Sequence, residues 1–348
     1  MSAPPPDFFC LQAFHRQGSL TKTLLLVPKR VGGPMFSGSR AHRVDIQPSQ
    51  CVLYCLLLSS AFVLSLYGLV PTSVRRLPRD HTSHVKYRIG VVVGVALGSV
   101  CAYPFLFGVD DGSTTEGGRP FRHFLGLEWK PCQDAKLVVH VLMLYLGSIV
   151  DNVLFIIRRG GGLGSWAKST VESMKYIFQD EENSRWIWMR NLLFAPAAEE
   201  VVFRVCMVTP LLASGISPTK VAWVTPLFFG VAHLHHFWES FRHLPSDQRT
   251  ASNIKRLVIL LMFQFTYTTL FGAYASHVFL RTGSLCGVIL AHCTCNYMGL
   301  PDPRFVGYRG IDKWIVGVSY LIGIWMFIRA FDSSIFPARS LIPELLGM

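Results

Sequence analysis

Side chains able to move protons or hold a developing negative charge gather in three short stretches of the second half of this 348-residue chain. The first reads Arg190-Asn191-x-x-x-Ala195-Pro196-x-x-Glu199-Glu200-x-x-Phe203-Arg204. Glu200 and Arg204 stand four apart, so on a helix they share a face and pair. Glu199 is turned by about 100° from Glu200. Arg204 can therefore fix one carboxylate while the other stays available for proton transfer. Pro196 has no backbone donor, which predicts a bend just before the two carboxylates. The second stretch is Phe229-x-x-x-His233-x-His235-His236, in which His233 follows Phe229 by one turn and His235 and His236 lie near a span end, where they can face water. The third, His292-x-x-x-Asn296, sets an imidazole and an amide on one helical face, both able to donate toward one point. That is the geometry an oxyanion hole requires.

A carboxylate and a His that can activate water, with two donors for a tetrahedral oxyanion, suit amide hydrolysis. General-base activation contributes ~10²–10⁴-fold, and loss of one oxyanion donor costs about 3–4 kcal/mol. No Ser sits in a G-x-S-x-G elbow, no Asp pair competes for the role, and no H-E-x-x-H zinc helix is present. Other readings of the same residues stay open. Glu199, His233 and His292 also make a three-ligand zinc set. Cys293 or Cys295 stands near His292 as a cysteine nucleophile, although Cys293 is directly adjacent to His292 and points off its face. A transporter or scaffold would use intramembrane Glu, Arg and His as a proton or substrate path. Against transport, only one polar helix is interrupted by Pro, and no matching halves are visible.

These stretches have to be positioned by membrane helices. Hydrophobic residues make up 51% of the chain and charged residues 16%, against about 25% charged in a soluble domain. A helical span needs roughly 20 mostly apolar residues. Candidates lie near 51–70, 89–107, 136–157, 187–213, 221–238, 254–280, 283–299 and 313–330. The expectation is an all-α polytopic membrane protein of about eight transmembrane helices enclosing an intramembrane catalytic cavity. The 187–213 span carries Glu199, Glu200 and Arg204, and such residues at membrane depth are candidates for function. The formal net charge of +12 does not call for nucleic acid, because the basic residues fall in loops such as Arg75–Arg88 and Arg158–Lys175, where they set topology. Loops after odd-numbered spans are the more basic, but the basic N-terminal 50 residues pull the other way, and orientation stays open. The nine cysteines show neither a disulfide framework nor a paired C-x-x-C zinc pattern. Most lie in apolar segments, where free Cys acts as a small hydrophobe.

Residues 1–50 are basic and non-periodic and read as a mobile tail. The apolar run Leu24–Val27 is too short for a signal-peptide core. Residues 51–335 form the membrane domain, with a core at about 185–300, and 336–348 a C-terminal tail. A Gly-rich loop is expected at 108–135 and an amphipathic surface stretch at 165–182.

Three blocks, RNLLFAPAAEEVVFR at 190–204, FGVAHLHH at 229–236 and FGAYASHVFLRTGSLCGVILAHCTCNYMGLP at 271–301, resemble the CAAX prenyl protease 2 family, the Ras-converting endopeptidases of the endoplasmic reticulum. E-E-x-x-x-R, F-x-x-x-H and H-x-x-x-N appear in family order, with A-P-x-x-E-E and H-x-x-x-N-Y-M-G around them. The resemblance covers roughly 185–335. It implies a glutamate-dependent intramembrane protease with no cofactor and no required metal. By that resemblance Glu199 is the catalytic glutamate and His233 its partner in activating water. His292 and Asn296 are the oxyanion-stabilising pair, and Glu200 and Arg204 support them. The implied substrates are farnesylated or geranylgeranylated C-terminal CAAX proteins such as small GTPases, which lose their last three residues. The implied location is the endoplasmic reticulum membrane. A prenyl chain gains about 0.8 kcal/mol per CH₂ buried in lipid, so a pocket within the bilayer can receive it laterally.

Overall fold

The computed structural model describes residues 47–107, 125–127, 130–158, 182–233, 239–242, 244–301 and 303–331, with isolated positions between 160 and 172. The tails at 1–46 and 332–348, most of the Gly-rich loop, most of the 165–182 stretch, and His235 and His236 lie outside the described residues. Every regular element among the described residues is helical. In chain order these are α1 (Pro48–Gly68), α2 (Thr82–Phe107), α3 (Pro131–Leu144), α4 (Leu146–Arg158), α5 (residues 182–213), α6 (Pro218–Ala232), α7 (Ala251–Thr282), α8 (Leu285–Met298) and α9 (Ile311–Phe331). Helices α1, α3 and α6 each begin with Pro in the first turn, where the missing N–H costs nothing.

An all-α membrane protein is what forms, but eight spans are not established. Among the described residues four helices, α1, α2, α7 and α9, are long and apolar enough to cross a bilayer, and α3 with α4 makes a fifth only as a pair bent by 71°. The expected spans at 187–213, 221–238 and 283–299 correspond to α5, α6 and α8. Of these, α8 has 14 residues and so is about 21 Å long, short of a hydrocarbon core of about 30 Å. Hydropathy cannot separate a helix that is apolar because lipid surrounds it from one that is apolar because protein does. Helix α5 is of the second kind. It contacts α1, α2, α6, α7 and α8, and Val202, Phe203, Val205, Met207, Leu211 and Leu212 on it are buried in the main core. The outer helices instead expose large apolar side chains, among them Leu57, Leu64, Leu321 and Trp325, as lipid-facing surfaces do.

The break between α3 and α4 falls where α9 crosses them. A Cβ added to Gly323 of α9 would lie 2.2 Å from the Met143 carbonyl oxygen, so only glycine allows this approach. Below the break Ser148 Oγ and Tyr320 OH are 2.8 Å apart. The joint that orients α8 is two residues long. Gly283 ends α7 in the left-handed conformation at φ 59, which glycine adopts without a Cβ penalty. Ser284 then caps α8, its Oγ accepting from Gly287 N–H at 2.9 Å. Helices α6 and α7 are tied by the Thr225 and Ser276 hydroxyls, 2.9 Å apart.

Candidate active site

The first stretch of the sequence lies on α5, which is not a regular helix. A Pro inside an α-helix presses its ring on the carbonyl four residues back, here that of Leu192. The chain answers by widening: Arg190–Phe194 is a π turn, with Ala195 N–H donating to Arg190 O. Pro196 thus enters the short α segment Ala195–Glu200 in its first turn. A second π turn, Val201–Val205, comes at once after it. Single π turns within helices occur frequently at functional sites, and these two bracket Glu199 and Glu200.

The expected division between the two carboxylates is present. Glu200 and Arg204 are fully buried and paired, Arg204 Nε standing 2.8 Å from Glu200 Oε2. Arg204 Nη2 donates to Glu200 Oε1 at 3.3 Å. The guanidinium carbon lies 5.2 Å from the centre of the Phe229 ring, and that face offsets part of its lost hydration. From α8, His292 Nδ1 reaches Glu200 Oε1 at 2.8 Å. A carboxylate paired with Arg only accepts, so Nδ1 carries the proton. The other ring nitrogen, Nε2, stands 3.8 Å from Glu199 Oε2. His292 is therefore held at one nitrogen by the buried pair and turned toward Glu199 with the other. Phe271 packs on its ring at 4.6 Å between centroids.

His233 is the C-cap of α6. Its Nδ1 lies 2.7 Å from the Phe229 carbonyl oxygen, which can only accept, so in the neutral ring Nε2 carries the lone pair. Its ring meets Phe229 edge-on at 4.6 Å, and Phe229 meets His292 at 6.3 Å, so one aromatic ring spaces the two imidazoles. Asn296 Nδ2 donates to the Asn191 carbonyl oxygen at 2.9 Å, which joins the exposed end of α8 to the first π turn.

Glu199, His233, His292 and Asn296 all line one cavity of ≈ 1790 Å³, whereas Glu200 and Arg204 do not reach it. Its walls include Phe62, Phe194, Phe263 and Phe271, and also Arg79, Arg88 and Arg190. The three-ligand zinc set is not assembled: among the described residues no group of three or more His, Cys, Asp or Glu side chains could hold a metal ion. Cys293 is not among the lining residues, whereas Cys295 is, although Cys295 is 7% exposed and packs with Val141, Tyr145 and Ala291 in a small buried cluster.

The family described as type II CAAX prenyl endopeptidase, Rce1-like, matches residues 181–298, a stretch that holds all six candidate residues. The chain is 32% identical to CAAX prenyl protease 2 of Homo sapiens over 72% of its own length and 70% of that protein. It is 31% identical to CAAX prenyl protease 2 of Arabidopsis thaliana over 82% and 89%, and 30% identical to that of Saccharomyces cerevisiae over 78% and 88%. The chain belongs to the CAAX prenyl protease 2 family. It is accordingly a membrane endopeptidase, which sets aside transport and scaffolding as readings of the same polar residues. No solved structure matches it.

Residue-type reasoning did not find the aromatic spacers as a set, since Phe271 lies outside all three short clusters. Nor did it find the second π turn, which no proline announces. The basic residues at 75–88 were read only as topology signals, yet Arg79 and Arg88 face the same cavity as Glu199.

Proposed function

We propose that this chain removes the last three residues from prenylated C-terminal CAAX proteins, with Glu199 and His233 activating the water and His292 and Asn296 stabilising the oxyanion. One observation carries the reading: the four proposed catalytic side chains share a cavity while Glu200 and Arg204 are sealed behind them. In this scheme Glu199 takes a proton from a water whose other hydrogen is accepted by His233 Nε2. The hydroxide adds to the scissile carbonyl, and the carbonyl oxygen becomes the oxyanion. The second amide hydrogen of Asn296 is a donor for it. His292 donates from Nε2 when the ring carries both protons, and the carboxylates at its two nitrogens are the countercharges for that form. The proton held by Glu199 then passes to the leaving amine as the C–N bond breaks. The products are a protein ending in prenylcysteine and a free tripeptide.

The aromatic part of the wall suits an isoprenoid, and helices that expose apolar side chains to lipid let such a chain enter from the side. By the same reading the enzyme works in the endoplasmic reticulum membrane, where fractionation with a resident marker would find it. The reaction is tested with a farnesylated CAAX peptide and membranes containing wild type or Glu199→Ala at matched expression, with and without a strong zinc chelator. Cleavage next to the prenylcysteine that resists chelator and falls ~10²–10⁴-fold in the variant supports the scheme. Loss of activity with chelator turns the same residues into metal ligands, and a folded wild type that does not cut overturns the substrate assignment.

A further inference from the structure

Charge in the cavity is one-sided. Six arginines line it, Arg75, Arg76, Arg79, Arg88, Arg190 and Arg242, against two carboxylates, Glu199 and Glu239. Glu239 is shared: Arg79 Nη1 donates to Oε2 at 3.3 Å, Tyr67 OH donates to Oε1 at 2.9 Å, and Arg88 Nη1 stands 3.7 Å from Oε1. Arg190 is paired with Asp80 at 3.1 Å. Arg88 is the buried member of the six. It is 9% exposed, lines the cavity, and makes no hydrogen bond among the described residues beyond that long contact to Glu239. A guanidinium has five donors, and those that Glu239 does not meet are open to the cavity that Arg88 lines. Arg79, Arg190 and Glu239 all lie within electrostatic reach of it, and three guanidiniums against Glu239 and the Asp80 that pairs with Arg190 leave a net positive charge that favours an anion.

We propose that Arg88, backed by Arg79 and Arg190, binds the free α-carboxylate at the substrate's C-terminus and so measures the cut from the chain end. The inference rests on the protease reading above. The terminal carboxylate is the one anion that every such substrate presents, whatever its last three side chains. Distances along α5 agree. Arg190 precedes Glu199 by nine residues on that helix, at most about 13 Å along its axis at 1.5 Å per residue, since the first π turn rises less. Three extended residues span about 10 Å, and a carboxylate–guanidinium contact adds about 3 Å. A peptide whose scissile carbonyl sits at Glu199 therefore reaches the arginines with its third residue. Asn191 and Asn296 line the same cavity and offer polar groups to the peptide backbone. A peptide one residue longer would drive its carboxylate into the cluster, and one residue shorter would leave it unpaired.

The test compares two farnesylated peptides of identical sequence, one ending in a free carboxylate and one in a primary amide, with the full chain in phosphatidylcholine vesicles. Wild type is expected to favour the acid on the order of 10- to 100-fold in kcat/KM, the range of a charge-assisted hydrogen bond, mostly through KM. Arg88→Gln should bring the two peptides toward equal cleavage by lowering the acid, and Arg88→Lys should restore part of the preference. Equal cleavage of acid and amide by wild type overturns the proposal. So does an Arg88→Gln defect of the same size on both peptides, the result expected if Arg88 holds a lipid phosphate or only packs. Should the variant not fold, inhibition of wild type by the free tripeptide acid against its amide decides the matter: equal inhibition overturns the proposal. Failure of wild type to cut either peptide is the failure of the protease reading itself, and removes this one with it.

Discussion

Removing the positive charge behind the site should cost more stability than removing the pair. Glu200 and Arg204 are both fully buried, with Nε to Oε2 at 2.8 Å and His292 Nδ1 on the same carboxylate at 2.8 Å. Arg204→Met keeps a side chain of similar reach over the Phe229 ring but leaves the Glu200 charge unmatched. Breaking a buried pair on one side costs about 3–5 kcal/mol, a large share of the ~5–15 kcal/mol that holds a domain together. The double variant Glu200→Gln with Arg204→Met removes both charges, and neutral replacement of a buried pair is often close to harmless. Thermal unfolding in detergent should therefore place Arg204→Met far below wild type and the double variant most of the way back. Activity should not return in step. The amide that replaces the Glu200 carboxylate can still accept from His292 Nδ1–H, but a neutral acceptor gives about 1 kcal/mol less than a charged one, and the countercharge for a doubly protonated His292 is gone. A loss of about tenfold in cleavage is expected in the recovered protein. An Arg204→Met variant as stable as wild type, or a double variant less stable than the single one, would refute the reasoning.

The geometry sets three further outcomes. Asn296→Ala should lower kcat by about 10²–10³-fold, the effect of losing one oxyanion donor, with KM within a few fold; a change in KM alone would make Asn296 a binding residue. Gly323→Ala would press a Cβ on the Met143 carbonyl oxygen at 2.2 Å, so unfolding should shift by about 1–3 kcal/mol with the rate per folded molecule retained. Cys293→Ala should leave cleavage within a few fold of wild type, since this side chain is not part of the cavity wall, and abolished cleavage would revive a cysteine nucleophile.

The site was legible because its signals are local. Spacing of four residues links Glu200 to Arg204 whether the turn is α or slightly wider, and the pair forms across the start of a π turn. His292 and Glu200 are 92 residues apart, and no periodicity predicts that contact. What pointed to it was the cost of charge at membrane depth, which requires such residues to find one another. The span count was less legible for the same reason. Apolar content marks α5 and α8 as buried without saying whether lipid or protein buries them. The bend at Tyr145 depends on how closely α9 approaches through Gly323, which is a property of packing between distant segments.

Two adjacent glutamates with different surroundings need a helix whose two sides differ within one residue. On α5 that boundary falls between Glu199 and Glu200. A rotation of about 100° per residue carries the chain from the cavity wall to the core, where Val202 and Val205 are also buried. The bordering π turns matter here, because each widened turn shifts the helical register and so re-aims the side chains beyond it. With the first, Asn191 presents its carbonyl to Asn296 while Pro196 is accommodated. With the second, Arg204 lies beneath Glu200 and over Phe229. The same helix thus holds Glu199, the carboxylate proposed to handle the proton, the Glu200 charge that anchors His292, and, at the start of its first π turn, Arg190 of the basic cluster. If the two proposals hold, the spacing between chemistry and chain-end recognition is set by one rigid element, not by a loop, and would change in steps of a residue. Insertion of one Ala between Asn191 and Pro196 should therefore disturb cut position or peptide-length preference before it disturbs folding, and mass spectrometry of the released fragment would read the difference.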